Sequence, residues 1–344
     1  MTIVIKKEYK KRRLCVYHMI NVGINGFGRI GKLLSRIVLN DPRMRLCSIN
    51  HPTITRPDYF HLLKHDSVHT LSNTFDMNLA HSVNIHNERE PSDIKWEDEI
   101  DIVIDTTGKF KTETELLAHR ENTNLDEDSI ILLSAPPKDD IPMFVYGVNH
   151  VDYNFQNVIS AASCTTTCLA PIVKVLHEEY TVNNGLMTTI HSATASQYAV
   201  DKYTPGKRTG RTLLNNIIPS TTGAALAIGK VIPELEGKLN ALSVRVPVSN
   251  VSLLDLSVNL ASEPSIEDLT NLFEKKSQSD EYHTIIKVSN EELVSSDFIG
   301  DENNAIIDAS SIMKQDNMYK LLVWYDNEMG YAKNIVRLIK YLKF

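Results

Sequence analysis

Cysteine is scarce in this chain: four among 344 residues, at Cys15, Cys47, Cys164 and Cys168. Their spacing matches no metal-binding pattern, and so low a count points to a reducing compartment rather than a disulfide framework. Cys164 and Cys168 stand four apart, which is one helical turn and not a CxxC pair. No apolar run is long enough to span a membrane. An excess of positive charge is also missing; the net charge of −7 argues against non-specific nucleic-acid binding. There are no internal repeats and no low-complexity segment. What remains, 42% hydrophobic and 23% charged, describes an ordinary globular protein. At this length two domains are expected.

Residues 1–18 stand apart. Lys6, Lys7, Lys10, Lys11, Arg12 and Arg13 form a basic cluster ahead of Met19. Without a long apolar stretch it is not a secretory signal, and it is too Lys-rich for a transit peptide. It reads as a flexible arm, or as an upstream start with Met19 the natural beginning.

A short apolar strand at 20–24 runs into Gly26-Phe-Gly-Arg-Ile-Gly31 and then a helix carrying Leu33, Leu34, Ile37 and Val38. Strand, G-x-G-x-x-G and helix in that order is the dinucleotide-binding context, in which backbone N–H groups meet a pyrophosphate at the helix start. The second strand, 44–49, should end in an Asp or Glu that holds the ribose hydroxyls. Here it ends in Asn50-His51-Pro52, so that carboxylate is missing. Strands at 100–105 and 130–134 end in Thr106-Thr107-Gly108 and in Ser134-Ala-Pro-Pro137, facing the same crevice.

The chain is organised around Ser160-Ala-Ala-Ser-Cys-Thr-Thr-Thr-Cys-Leu-Ala-Pro171. A strand precedes it, and 169–180 has helical spacing. Cys164 therefore sits where a loop enters a helix, a position that favours an ionised, nucleophilic thiol. After it come a strand at 186–191, a polar segment at 196–211, a helix in the second half of 212–231, and alternating strands at 241–248 and 254–260. A helix at 266–275, strands at 305–307 and 321–325, and an amphipathic helix at 329–342 complete the chain. So many strands with so few helices between them imply a mixed or antiparallel sheet. The fold class is thus α/β: a Rossmann-type parallel-sheet domain plus a mixed-sheet α+β domain.

Seven motifs, in order, resemble the glyceraldehyde-3-phosphate dehydrogenase family. They are Gly26-Phe-Gly-Arg-Ile-Gly31, Ala162-Ser-Cys-Thr-Thr166, Thr188-Thr-Ile-His191, Ile218-Pro-Ser-Thr-Thr-Gly-Ala-Ala225, Gly229-Lys-Val-Ile-Pro-Glu-Leu235, Arg245-Val-Pro247 and Trp324-Tyr-Asp-Asn-Glu-Met-Gly-Tyr331. The resemblance implies a dinucleotide-binding domain over 19–163 plus 329–344 and a catalytic domain over 164–328. It also implies a cytoplasmic homotetramer, with the C-terminal helix packed back on the first domain. The implied reaction is phosphorylating oxidation of glyceraldehyde 3-phosphate with NAD and inorganic phosphate. An erythrose 4-phosphate oxidase and a non-catalytic cofactor-binding protein are the alternatives.

By the same resemblance, Cys164 is the nucleophile and His191 its base. Ser163, Thr165, Thr222 and Gly223 hold the attacking phosphate, and Thr194 and Arg245 the substrate's own. Gly26, Phe27, Gly28, Arg29, Ile30, Gly31, His51, Arg89, Thr107, Gly108, Ser134, Asn327 and Tyr331 fall to the cofactor; no metal is implied. Two departures stand out: Thr167 replaces the family's usual Asn, and His51 replaces the ribose-binding carboxylate. With the added positive charge near Lys202, the second opens the way to NADP.

Overall fold

The computed structural model describes residues 19–97, 99–123 and 125–343. The basic arm at 1–18, and Cys15 within it, lie outside the described residues.

The first half of the chain builds a parallel sheet of six strands, in the order β3-β2-β1-β4-β5-β6. These are β1 (Ile20–Asn25), β2 (Met44–Asn50), β3 (Asn84–His86), β4 (Ile102–Asp105), β5 (Ile130–Leu133) and β6 (Val158–Ser160). β4 and β5 are buried at every position, as expected of parallel strands covered on both faces. The order reverses at β1, which pairs with β2 on one side and β4 on the other. Adjacent chains leave that point in opposite directions, opening a crevice at the carboxyl ends of the strands.

Helix α1 (Arg29–Leu39) follows β1 and buries Leu33, Leu34 and Val38. Two short helices, α2 (Arg56–Lys64) and α3 (Glu113–Leu117), escaped the sequence reading. Each opens on a capping box, Thr55 with Asp58 and Thr112 with Glu115, a signal present in the sequence but unaccompanied by a strong apolar period.

Helix α4 runs over Cys164–Tyr180, one turn earlier than the apolar spacing suggested. The first turn is made of small, polar Thr residues that show no hydrophobic period. Beyond it lies a mixed sheet of eight strands, β11-β12-β14-β10-β7-β9-β8, with β13 pairing β14. The strands are β7 (Val182–His191), β8 (Ile218–Ser220), β9 (Leu239–Arg245), β10 (Ser252–Leu260), β11 (Ile286–Ser289), β12 (Ala305–Asp308), β13 (Met313–Gln315) and β14 (Met318–Tyr325). The expected mixed sheet is therefore present. β10 alternates buried and half-buried residues, one face being turned to the core. The strand expected over 241–248 ends at Arg245. Val246 donates from its N–H to the carbonyl of His191, and Pro247 follows without an N–H to continue the ladder. Helices α5 (Ala224–Val231) and α6 (Ile266–Ser277) complete this half.

The final helix, α7 (Met329–Lys343), returns to the first sheet. Tyr331, Ala332, Ile335, Val336 and Ile339 share one core with Ile20, Val22, Ile24, Leu34 and Ile104. Cys164 packs at the edge of this core and of the second, so α4 and α7 tie the two sheets together around its sulfur.

Candidate active site

At the carboxyl end of β1 the chain turns on Gly26, whose φ of +97° favours glycine. A β-carbon on Gly31 would collide with the carbonyl oxygen of Gly26, whereas one on Gly28 would meet only open space. The turn is closed beneath and open above. The N–H groups of Arg29, Ile30 and Gly31, in the first turn of α1, have no intrahelical acceptor; the ladder begins with Lys32 donating to Gly28, 2.9 Å. This shape and donor set fit a pyrophosphate. The Arg29 side chain is committed elsewhere, pairing with Glu328 at 2.5 Å and Asp66 at 2.5 Å, so what it can offer an anion is its backbone N–H. Phe27 is buried in the first core.

Around the crevice, the Thr107 hydroxyl donates to Asp105 at 2.7 Å, and Ser134 donates from its N–H to the Asp105 carbonyl at 2.9 Å. Gly108 adopts φ +64° with open space beside it. His51 stands at the end of β2, where Nδ1 accepts from the Thr53 N–H at 3.3 Å. Burial lowers its pKa, so it is neutral at neutral pH. Arg89 is exposed.

The reactive end is built where α4 meets the second sheet. Ser163 caps the helix, its hydroxyl accepting from the Thr166 N–H at 3.1 Å. That cap fixes Cys164 as the first helical residue, with Sγ 3.5 Å from His191 Nε2. His191 is the last residue of β7 and lies opposite Arg245, the last of β9, in a parallel ladder. Arg245 Nη1 sits 2.7 Å from His191 Nδ1, and the same Nδ1 is 2.9 Å from the Ser192 carbonyl. Among the described residues the buried Arg245 Nε has no hydrogen-bond partner, which leaves it a free donor for an anion.

Burial pushes the Cys164 thiol up, while Arg245 and the N–H groups of the helix start pull it down. The simple expectation of a thiolate at a helix N-terminus is therefore offset by desolvation. Burial first, and Arg245 second, lower His191 to about 4. Burial therefore favours the uncharged pair, thiol and imidazole, which one proton transfer converts to thiolate and imidazolium.

Of the other expected residues, Thr165 is buried with its hydroxyl 3.1 Å from Tyr325 Oη. Thr194 donates to Gln197 Oε1 at 2.9 Å. Thr222 Oγ1 accepts from the Ala224 N–H at 3.2 Å, and Gly223 caps α5 with open space beside it. Tyr331 donates to the Ala162 carbonyl at 3.0 Å. Thr167 turns its hydroxyl back to the Cys164 carbonyl, 2.9 Å, so the helix absorbs this departure within its own first turn.

Several residues here escaped the sequence reading. Tyr325 stands edge-on to His191 and joins Thr165 to Thr189; it lies inside a quoted motif, but nothing in a linear sequence aims it. Ser192 and Ser252 both reach Asn327, across separations only the sheet can close.

A doubly wound sheet with an anion-receptive glycine turn, joined to a second sheet that sets a cysteine against a histidine, defines a dinucleotide-linked dehydrogenase working through a thiol. Comparison with known proteins narrows the class. Residues 20–113 match the NAD binding domain of glyceraldehyde 3-phosphate dehydrogenase, and residues 163–327 match its C-terminal domain. Glyceraldehyde-3-phosphate dehydrogenase 1 of Kluyveromyces lactis is 40% identical over 334 residues, covering 94% of this chain and 100% of the relative. The cytosolic enzyme of Gracilaria gracilis is 43% identical over 333 residues, 93% of this chain and 97% of the relative. The chain belongs to the glyceraldehyde-3-phosphate dehydrogenase family and is an NAD-dependent dehydrogenase.

Proposed function

We propose that the chain oxidises D-glyceraldehyde 3-phosphate to 1,3-bisphosphoglycerate, with inorganic phosphate as co-substrate and NAD as oxidant, in glycolysis and gluconeogenesis. The observation that carries this reading is the Sγ–Nε2 approach of 3.5 Å between Cys164 and His191, with the unsatisfied Arg245 beside them. Cys164, as thiolate, attacks the aldehyde carbon and gives a thiohemiacetal. His191 takes the hydroxyl proton as hydride leaves the carbon, and a thioester remains on Cys164. NAD, when bound, supplies the hydride acceptor. Phosphate then attacks the thioester carbonyl and displaces the sulfur, so the oxidation energy is kept in an acyl phosphate rather than lost to water.

Arg245 and Thr194 take the substrate phosphate, and Ser163, Thr165, Thr222 and Gly223 the attacking one. Arg suits the first role because its fork pairs two phosphate oxygens. Gly26 to Gly31, Thr107, Gly108, Ser134, His51 and Arg89 line the dinucleotide from pyrophosphate to adenosine. Asn327 meets the nicotinamide carboxamide, with Tyr331 beside it. NADP is accepted to a degree because His51 offers no carboxylate to repel a 2′-phosphate. The dinucleotide-binding domain comprises 19–163 and 329–344, and the catalytic domain 164–328.

A homotetramer in the cytoplasm completes the reading. The outer face of the second sheet supports it, since Leu186 is 68% and Leu242 47% exposed on adjoining strands. So do Tyr203 and Ile217, 91% and 73% exposed in and just after the polar segment. No helix among the described residues is long and apolar enough to cross a membrane. The test is NADH formation from glyceraldehyde 3-phosphate with and without phosphate. Phosphate-dependent turnover is expected; turnover indifferent to phosphate would remove the second half of the scheme.

A further inference from the structure

Asn327 lies between β14 and α7, buried, with its backbone held on both sides. The neighbouring Asp326 receives the N–H groups of Glu328 and Met329 on Oδ1, and Asn250 Nδ2 and the Gly300 N–H on Oδ2. The Asn327 amide is held as well. Ser192 Oγ donates to Asn327 Oδ1 at 2.8 Å, and Ser252 Oγ donates to the same atom at 2.9 Å. Both lone pairs of that oxygen are thereby used. Ser252 is fixed in its turn, because its Oγ accepts the Ser192 N–H at 3.1 Å. With the amide reversed, Ser252 Oγ could still donate to Ser192 Oγ, 3.4 Å away, but the Ser192 hydroxyl would be left with no acceptor among the described residues. Among the described residues nothing accepts from Asn327 Nδ2, and that nitrogen is not sealed from solvent.

We propose that Ser192 and Ser252 are positioning residues for the cofactor. Together they lock the Asn327 side chain with Oδ1 inward and Nδ2 outward, so that the site presents a hydrogen-bond donor, and only a donor, to the nicotinamide carboxamide oxygen. The inference rests on the reading of Asn327 as the nicotinamide contact. Ser192 directly follows β7 and Ser252 opens β10, and among the described residues neither side chain hydrogen-bonds Cys164 or His191. Their effect belongs to the nicotinamide half of the dinucleotide alone. A merely structural role would weaken the whole molecule's binding or its folding without distinguishing the two halves.

The test compares NAD+ with ADP-ribose, which lacks the nicotinamide ring. Dissociation constants for both are measured by quenching of tryptophan fluorescence in the full chain, for wild type, S192A/S252A, N327A and the triple variant. S192A/S252A is expected to lose about three- to tenfold in NAD+ affinity, the range of one or two neutral hydrogen bonds, and to keep its ADP-ribose affinity. On the N327A background the serine changes should add nothing. The inference is overturned if S192A/S252A leaves NAD+ affinity unchanged, lowers both ligands equally, or still weakens NAD+ when Asn327 is absent. If N327A itself leaves NAD+ affinity unaltered, the assignment of Asn327 fails rather than the clamp on it. The single variants S192A and S252A, each leaving one hydroxyl on Oδ1, provide the same comparison should the double variant not fold.

Discussion

His191 and Arg245 are register partners in the β7–β9 ladder, and Nη1 of the arginine lies 2.7 Å from Nδ1 of the histidine. That nitrogen also lies 2.9 Å from the Ser192 carbonyl oxygen, and it can serve one partner at a time. With its proton on Nδ1, the ring donates to Ser192 and leaves Nε2 free to take the Cys164 proton. With the proton on Nε2, the ring accepts from Arg245 and offers a donor to the substrate oxygen. The two tautomers thus match the two roles proposed for His191, base and electrostatic partner of the substrate oxygen.

Replacing Arg245 with Gln should move His191 upward from its pKa of about 4, since the guanidinium is the second cause of the depression after burial. The imidazole titration followed by NMR reads this directly. Turnover should fall as well, by about ten- to a hundredfold in kcat/KM, the worth of a charge-assisted hydrogen bond to a phosphate.

The same depression links His191 to acid stability. An unfolded chain binds a proton on this ring below its ordinary value of 6.5, the folded chain only below about 4. Between those limits the unfolded state holds more protons, so stability falls as pH falls from 6.5 to 4 and levels off beneath. The full effect is about 3 kcal/mol. Urea midpoints of wild type and H191N across that window should converge towards low pH; parallel curves would remove His191 as the cause.

Glu328 joins the pyrophosphate turn to the segment that carries Asn327. It pairs with Arg29 at 2.5 Å and with His69 at 3.0 Å, and both contacts hold its carboxyl below the usual range. Because Arg29 is a third exposed, E328Q should cost about 1–2 kcal/mol, less than a fully buried pair. Thermal unfolding measures it. A native-like Tm in E328Q would show that the network is replaceable.

The proposed acceptance of NADP rests on His51. Restoring a carboxylate with H51D should lower kcat/KM for NADP relative to NAD by at least about tenfold, from repulsion of the 2′-phosphate. An unchanged ratio would place the discrimination elsewhere.

What the sequence discloses, and what it withholds, follows from the range of the interactions. The glycine turn was legible because its geometry is local: Gly26 needs a positive φ and Gly31 has no room for a side chain. The strand character of β9 and β10 was legible from alternation. The pairing of His191 with Arg245 was not, because it depends on β9 crossing over to lie parallel beside β7. Arg245 was expected to hold the substrate's phosphate; in the folded chain its Nη1 rests on His191, and among the described residues its Nε has no partner. The serines on Asn327 stand 135 and 75 residues from it in sequence, and no local pattern marks them. The helix start at Cys164 was legible from the capping-type residues around it, although Thr165, Thr166 and Thr167 interrupt the apolar period.

The central claim is that the sulfur of Cys164 performs the chemistry. Its most direct test is titration with iodoacetamide, following carboxamidomethylation at each cysteine by mass spectrometry against phosphate-dependent NADH formation. The account predicts that one equivalent reacts at Cys164 and that activity disappears in proportion to its modification. Full modification of Cys164 with turnover preserved would contradict it.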